Sequence, residues 1–348
     1  MKYKKVIIGV LLGVSALSIT GVFYKELSLD KLNLRLTDIS GSRSALTDTI
    51  EGVVSKSIGK GNTIKINKDE ITLSNLTDVD DEFLLTREEI NKNKEFYKKM
   101  KGYNRSEVIE NKGEKIFARV KNNNIYIYKG IDNKVQEIII PLEEKERNLT
   151  NKSEFVGIEL LKSDNGILYG VLNCSNIHGD YNSNLLEMNV NKKNYKAYNI
   201  KNDSSNIYAM TDKNDLYVSN GNELFKCDYK TGKYNSIIKF DQSVRFNEGY
   251  LYFLNSEDAN KARAISAINL ESREIIECGY AAIEQYWSEI PDITIRDDKI
   301  YKIDNISKYT DDNKRSYIIE VLNSKDKSIL YKGNLELSGN SRANLEVK

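Results

Sequence analysis

A short unit recurs from about residue 120 to the end of this 348-residue chain, and it constrains the fold more than any other feature. Each unit joins an aliphatic–Tyr dipeptide to a second apolar run leading into a turn rich in Asp, Asn and Lys. The clearest copies are Ile125-Tyr126, Leu168-Tyr169, Leu216-Tyr217, Leu251-Tyr252 and Ile300-Tyr301, with tyrosines 43, 48, 35 and 49 residues apart. That interval matches one blade of a β-propeller. Tyrosine is abundant at 22 copies against 9 Phe and 1 Trp. Tyr suits half-buried strands, where the ring packs and the hydroxyl reaches water or a partner.

From Lys115 onward, strand patterns follow one another nearly without a break. They include Phe117–Val120, Ile125–Tyr128 and Glu137–Pro141, then Ile167–Asn173, Leu216–Ser219 and Leu224–Asp228. Polar turns at Thr231-Gly232-Lys233, Leu270–Arg273 and Asn323–Lys327 send the chain back into return strands. Asp297-Asp298 and Asp311-Asp312-Asn313 also read as turns. Upstream, Thr63–Ile66 and Ile71–Leu73 alternate apolar and polar residues around an Asn67–Glu70 link, which predicts a hairpin. Residues 86–101 read as a helix, with Thr86 as N-cap, Glu89 completing a capping box, and Ile90, Tyr97 and Met100 on one stripe. The expected fold is all-β: a β-propeller of about five to seven irregular blades, preceded by an N-terminal transmembrane helix and one short soluble helix. A two-sheet sandwich is the other way to avoid long exposed sheet edges.

Lys2, Lys4 and Lys5 precede a 19-residue stretch without charge, Val6–Tyr24. As a helix this spans roughly 28 Å, the thickness of a bilayer core. The preceding lysines favour a cytoplasmic amino end. The segment reads as an uncleaved anchor or a signal peptide; Ser18-Ile19-Thr20 matches a cleavage site only loosely. The expected layout is therefore a signal anchor or signal peptide at 1–24, a stalk or lead-in at 25–60, and a propeller-like extracytoplasmic domain at 61–348.

Lys and Arg (52) balance Asp and Glu (51), leaving a formal charge of +1, so no nucleic-acid partner is expected. Cys174, Cys227 and Cys278 are odd in number and contain no C-x-x-C pair. They read as buried small hydrophobes at similar places in successive repeats. The single histidine, His178, excludes a multi-histidine metal centre and reads as an exposed loop residue, although Cys174 lies four residues before it. Carboxylates gather at Asp78-Val79-Asp80-Asp81-Glu82 without the EF-hand glycine; they read as an acidic lead-in to the helix rather than a Ca²⁺ site. No nucleophile elbow, P-loop or dinucleotide fingerprint is present. No catalytic residue, metal ligand or cofactor is assigned. An aromatic platform of Tyr286, Trp287 and Tyr280 is the expected ligand-binding site.

The lysine-led anchor at 2–24 and the aliphatic–Tyr repeats with turns such as Asp228-Tyr229-Lys230-Thr231-Gly232-Lys233 resemble membrane-anchored, extracytoplasmic β-propeller-like proteins of low-GC Gram-positive bacteria. The Trp-Asp signature of one propeller class and the glycine pairs of another are missing. The resemblance implies binding or scaffolding rather than catalysis. The expected function is a non-enzymatic, membrane-tethered binding propeller facing a protein or cell-wall glycan partner outside the cytoplasm, or secreted if the signal is cleaved. The alternatives are a carbohydrate-active hydrolase or lyase of the envelope, and an accessory subunit of a transporter or sensory system.

Overall fold

The computed structural model describes residues 34–348, apart from 58–59, 75–76, 81–84, 103–107, 132, 177, 179–180, 201–205, 256–263, 281–290, 307–313 and 339–341. The chain opens with β1 (Leu34–Gly41), a short 3₁₀ turn, β2 (Ile50–Ser57), β3 (Lys60–Ile66), β4 (Ile71–Leu73), β5 (Thr77–Asp80) and β6 (Leu85–Thr86). Two helices follow, α1 (Arg87–Lys92) and α2 (Lys94–Met100). Then come β7 (Ile109–Asn111), β8 (Glu114–Lys121), β9 (Asn124–Ile131), β10 (Lys134–Pro141) and a third helix, α3 (Glu144–Asn151). The remaining strands are β11 (Phe155–Asp164), β12 (Ile167–Ser175), β13 (Tyr181–Asn189), β14 (Asn194–Ile200), β15 (Ile207–Met210), β16 (Leu216–Ser219), β17 (Glu223–Asp228) and β18 (Lys233–Lys239). They continue with β19 (Gln242–Asn247), β20 (Tyr250–Asn255), β21 (Ala264–Asn269), β22 (Ile275–Tyr280), β23 (Asp292–Arg296), β24 (Lys299–Asn305), β25 (Lys314–Asn323), β26 (Ile329–Ser338) and β27 (Arg342–Val347).

These strands form six antiparallel sheets. Sheets II (β7–β10), III (β11–β14), IV (β15–β18) and V (β19–β22) are four-stranded and sequential. Sheet VI takes β23–β26 and adds β1 outside β26. Sheet I contains β2, β3, β5 and β6, with β4 paired to β3, and takes the C-terminal β27 beside β2. Each chain end thus completes a sheet built from the opposite end. First strands lie side by side: β11 against β7 and β15, β15 against β19, and β23 against β27. An all-β chain of six such sheets is consistent with a β-propeller and not with a two-sheet sandwich. The expected 63–73 hairpin is present in sheet I, with Asn67 Oδ1 accepting from the N–H groups of Asp69 and Glu70.

Packing explains the aliphatic–Tyr repeat. Neighbouring residues of a strand point to opposite faces, and a middle strand between two other sheets is covered on both. Leu216 joins the core shared with sheet III, whereas Tyr217 joins the core shared with sheet V. Leu251 faces sheet IV and Tyr252 faces sheet VI. Ile300 faces sheet V and Tyr301 faces sheet I. The aliphatic residue looks back to the preceding sheet and the tyrosine forward to the next. Ile125-Tyr126 breaks this rule because it lies on β9, the third strand of sheet II, rather than on a second strand. Its Ile packs toward sheet III and its Tyr toward the helices.

The turns repeat as well. Asn189, Asp228, Asn269 and Asn323 each accept backbone N–H bonds from residues two or three ahead, as Asx turns do. The residue four positions after each one has a positive φ: Lys193, Gly232, Arg273 and Lys327. This is the turn between third and fourth strands in sheets III to VI. The Asp297-Asp298 turn is also present, with φ of 45° and 60°.

Sheets I and II do not share a core of their own among the described residues; the helical pair stands between them. α1 lies against β5 and β6, and α2 against β9 and β10. Phe96, Tyr97 and Met100 pack on Phe117 and Tyr128. Arg119 donates to the Tyr128 hydroxyl oxygen at 2.8 Å, with its guanidinium over the ring. Gly130 makes the close approach possible, because a Cβ there would sit 2.7 Å from the Phe96 ring. Gly130→Val is accordingly expected to destabilise the fold by about 1–3 kcal/mol through overpacking. In urea titration the midpoint should fall with the slope unchanged.

Several expectations need correction. The 86–101 helix is broken at Asn93, whose φ of −132° and ψ of 37° leave the helical region, so two short helices form. α3 is a helix that was not expected, since its sequence has no apolar period. It is held by Glu146, buried, which accepts from the Tyr195 hydroxyl at 3.1 Å. The sheet strands begin at Leu34, inside the stretch read as a lead-in: β1 and β2 belong to sheets VI and I. The three cysteines are buried free thiols, but they occupy second, third and fourth strands (β12, β17, β22) and not equivalent places. Asp78 and Asp80 lie in strand β5, not in a helix lead-in. The segment 1–24 lies outside the described residues, among which no helix is long and apolar enough to cross a membrane.

Candidate functional site

Where sheets V and VI meet, the apolar core gives way to charge. Ile300 and Leu322, register partners on β24 and β25, pack with Tyr252, Ala267 and Cys278 of sheet V. One step along the same face, Lys302 opposes Glu320, and Glu320 opposes Lys332 on β26. The result is a row of alternating charge across three strands. Lys302 Nζ lies 2.6 Å from Glu320 Oε2, and Lys332 Nζ lies 2.8 Å from Glu320 Oε1. Asp304 follows Lys302 on the same face, opposite Ile318.

This row forms one wall of a cleft of about 1100 Å³. Sheet V supplies the facing wall, including Ser266, Glu277 and Tyr280, and Ile329 stands at the edge. Both Tyr280 and Ile329 are exposed, Tyr280 at 63%. The end of β22 is shaped by a bulge: Ala264 pairs with Tyr280 and Ser266 with Glu277, leaving Cys278 and Gly279 against Ile265. Gly279 has a φ of +87°, a left-handed conformation that favours glycine. The turned backbone presents the Tyr280 carbonyl to Lys302 Nζ, which donates to it at 2.9 Å.

The electrostatics follow from this geometry. Burial by itself pushes the Glu320 carboxyl up, but the charges and hydrogen bonds of Lys302 and Lys332 outweigh it and hold the group below the ordinary glutamate range. Burial raises the Cys278 thiol to about 12, partly offset by the nearby charges of Lys327 and Lys302, so this thiol stays protonated and unreactive. Among the described residues, four charged side chains are buried: Glu146, Lys302, Asp304 and Glu320. Three of them line this cleft. A buried ion pair stabilises a fold no better than well-packed apolar residues of the same volume, and here it sits beside an open cleft.

No protein-family model matches the chain, and no curated protein matches it. Solved structures similar to it include an ACO/RPE65 chimera (8% identity over 88% of this chain and 93% of that one, TM-score 0.44). Others are the uncharacterized protein lmo1340 from Listeria monocytogenes EGD-e (9%, 85% and 82%, TM-score 0.34) and a thermostable family-43 glycoside hydrolase (9%, 69% and 91%, TM-score 0.29). Likeness at this level carries no argument about the site, which stands on its own residues.

Of the three residues expected to bind a ligand, Tyr280 lies at the cleft, while Tyr286 and Trp287 lie outside the described residues. His178 is exposed in a turn, its N–H donating to Asn176 Oδ1 at 2.9 Å. Cys174 is buried, and burial raises its thiol, so the pair offers no nucleophile. Lys302, Asp304, Glu320 and Lys332 were not singled out from the sequence. A partial signal was present in β24: the second strands of sheets III to V carry no charge, whereas Lys299–Asn305 carries Lys302 and Asp304 mid-strand, as β8 of sheet II carries Arg119.

Proposed function

We propose that this chain is a six-bladed β-propeller tethered to a membrane by residues 6–24, with the propeller outside the cytoplasm, and that it binds a ligand in the V–VI cleft without transforming it. The observation that carries the binding site is the buried Lys302–Glu320–Lys332 row opening into that cleft. For the non-enzymatic reading, the state of Glu320 bears on one role, that of the catalytic acid. Glycoside hydrolysis needs one carboxylic acid kept protonated near neutral pH. Glu320 is held ionised by two lysines and is unsuited to donate a proton. The tether is supported by the three early lysines and the uncharged stretch that follows them.

Full-length protein in its own membrane vesicles is expected to co-sediment with purified cell envelope from the same cells. A Lys302→Met/Glu320→Leu double variant, which replaces the pair by apolar groups of similar size, should lose most of that association. Undiminished association of the double variant would count against the cleft, and steady release of soluble product from the envelope would favour a hydrolase.

A further inference from the structure

Resting on the binding reading above, we infer that the ligand of the V–VI cleft is a neutral oligosaccharide. The first reason is charge balance. The sheet VI side of the cleft carries Lys302, Lys327, Lys332, Asp304 and Glu320, and sheet V adds Glu277, giving three cations and three anions. Both oxygens of Glu320 are engaged by lysines, so the cleft has no excess of either sign to attract an ionic ligand. What it offers is closely spaced donors and acceptors. A sugar hydroxyl is both donor and acceptor, and can exchange bonds with such a mixed wall without bringing an unpaired charge.

The second reason is the aromatic and aliphatic edge. The Tyr280 ring is exposed at the cleft, and Ile329 across from it is 48% exposed. A pyranose has an apolar C–H face that packs on such a ring while its hydroxyls point to the polar wall. The third reason is size: about 1100 Å³ slightly exceeds the range, about 300–1000 Å³, that holds drug-sized ligands, so the cleft has room for several linked sugar rings. The charged wall is the flat face of β24–β26, whose backbone groups are already paired in the sheet, so strand addition is open only at β22, the outer strand of sheet V, and the charged peptides below test that mode.

The test is calorimetric titration of the full-length protein in detergent with cellotetraose, maltotetraose and tetra-N-acetylchitotetraose, with lysine-rich and glutamate-rich hexapeptides as charged controls. At least one tetrasaccharide is expected to bind. Tyr280→Ala, an exposed position where folding is not at risk, should weaken that binding by about tenfold. The Lys302→Met/Glu320→Leu variant should abolish it, with thermal unfolding confirming that it remains folded. Failure of all three saccharides to bind, or binding unchanged in both variants, overturns the assignment. If the saccharides fail while envelope association still depends on Lys302 and Glu320, the glycan assignment falls and the cleft stands. If both fail, both fall.

Discussion

Removing residues 342–348 is expected to unfold the protein or leave it far less stable. All but Lys348 form β27, which pairs with β2 through six register positions from Ile50↔Val347 to Ser55↔Arg342. Leu345 and Val347 are buried in the core shared by sheets I and VI. Exposing two such side chains costs about 1.5–3 kcal/mol each. The truncation also leaves β2 as an unpaired edge and removes the first strand that lies beside β23. Against a total stability of about 5–15 kcal/mol, the loss is decisive. Thermal unfolding of full-length and truncated chains reads it directly. A synthetic peptide covering 342–348, added in trans, should restore part of the transition; a truncated chain that melts at the full-length temperature would show that the clasp contributes little.

Glu320→Ala is the second large effect. The variant leaves Lys302, with a side chain only 7% exposed, without its carboxylate. Breaking one partner out of a buried pair destabilises by about 3–5 kcal/mol, whereas replacing both by apolar groups is nearly neutral. Glu320→Ala should therefore melt well below Lys302→Met/Glu320→Leu. The pH dependence has a definite sign. The folded-state pKa of Glu320 lies below its unfolded value, so its contribution is fully present above the ordinary glutamate pKa and is lost as pH falls through the lowered value. Wild-type stability should fall on acidification below about pH 4.3, and the double variant should lose less over the same window. Equal melting temperatures for Glu320→Ala and the double variant would mean that Lys302 is not desolvated in the folded state.

The repeat was legible because it reports burial on two faces. Leu216 and Tyr217, or Ile300 and Tyr301, must both be apolar when sheets lie on either side, and that requirement survives as a dipeptide. The polar turns were legible because Asp228, Asn269 and Asn323 act locally, on backbone groups two or three residues away. What was not legible depends on distant pairing. Nothing local marks Leu34–Gly41 as the partner of Ile329–Ser338, nearly 300 positions later, so β1 reads as part of a stalk. α3 is fixed by Tyr195 reaching Glu146, a contact no period reveals. The cleft is a mixture of both. Tyr280 is visible as an aromatic near a turn, but Lys302 and Glu320 look like solvent-facing strand residues until sheet V covers them.

The most direct measurement is photo-crosslinking from the cleft in the native envelope. A photoreactive phenylalanine analogue at position 280 is compared with the same group at Phe155, equally exposed at 63% on sheet III. The account predicts adducts with envelope material from position 280 that disappear in the Lys302→Met/Glu320→Leu background, and none beyond background from position 155. Adducts of equal yield from both positions, or adducts at 280 that ignore the loss of Lys302 and Glu320, would contradict the V–VI cleft as the binding site.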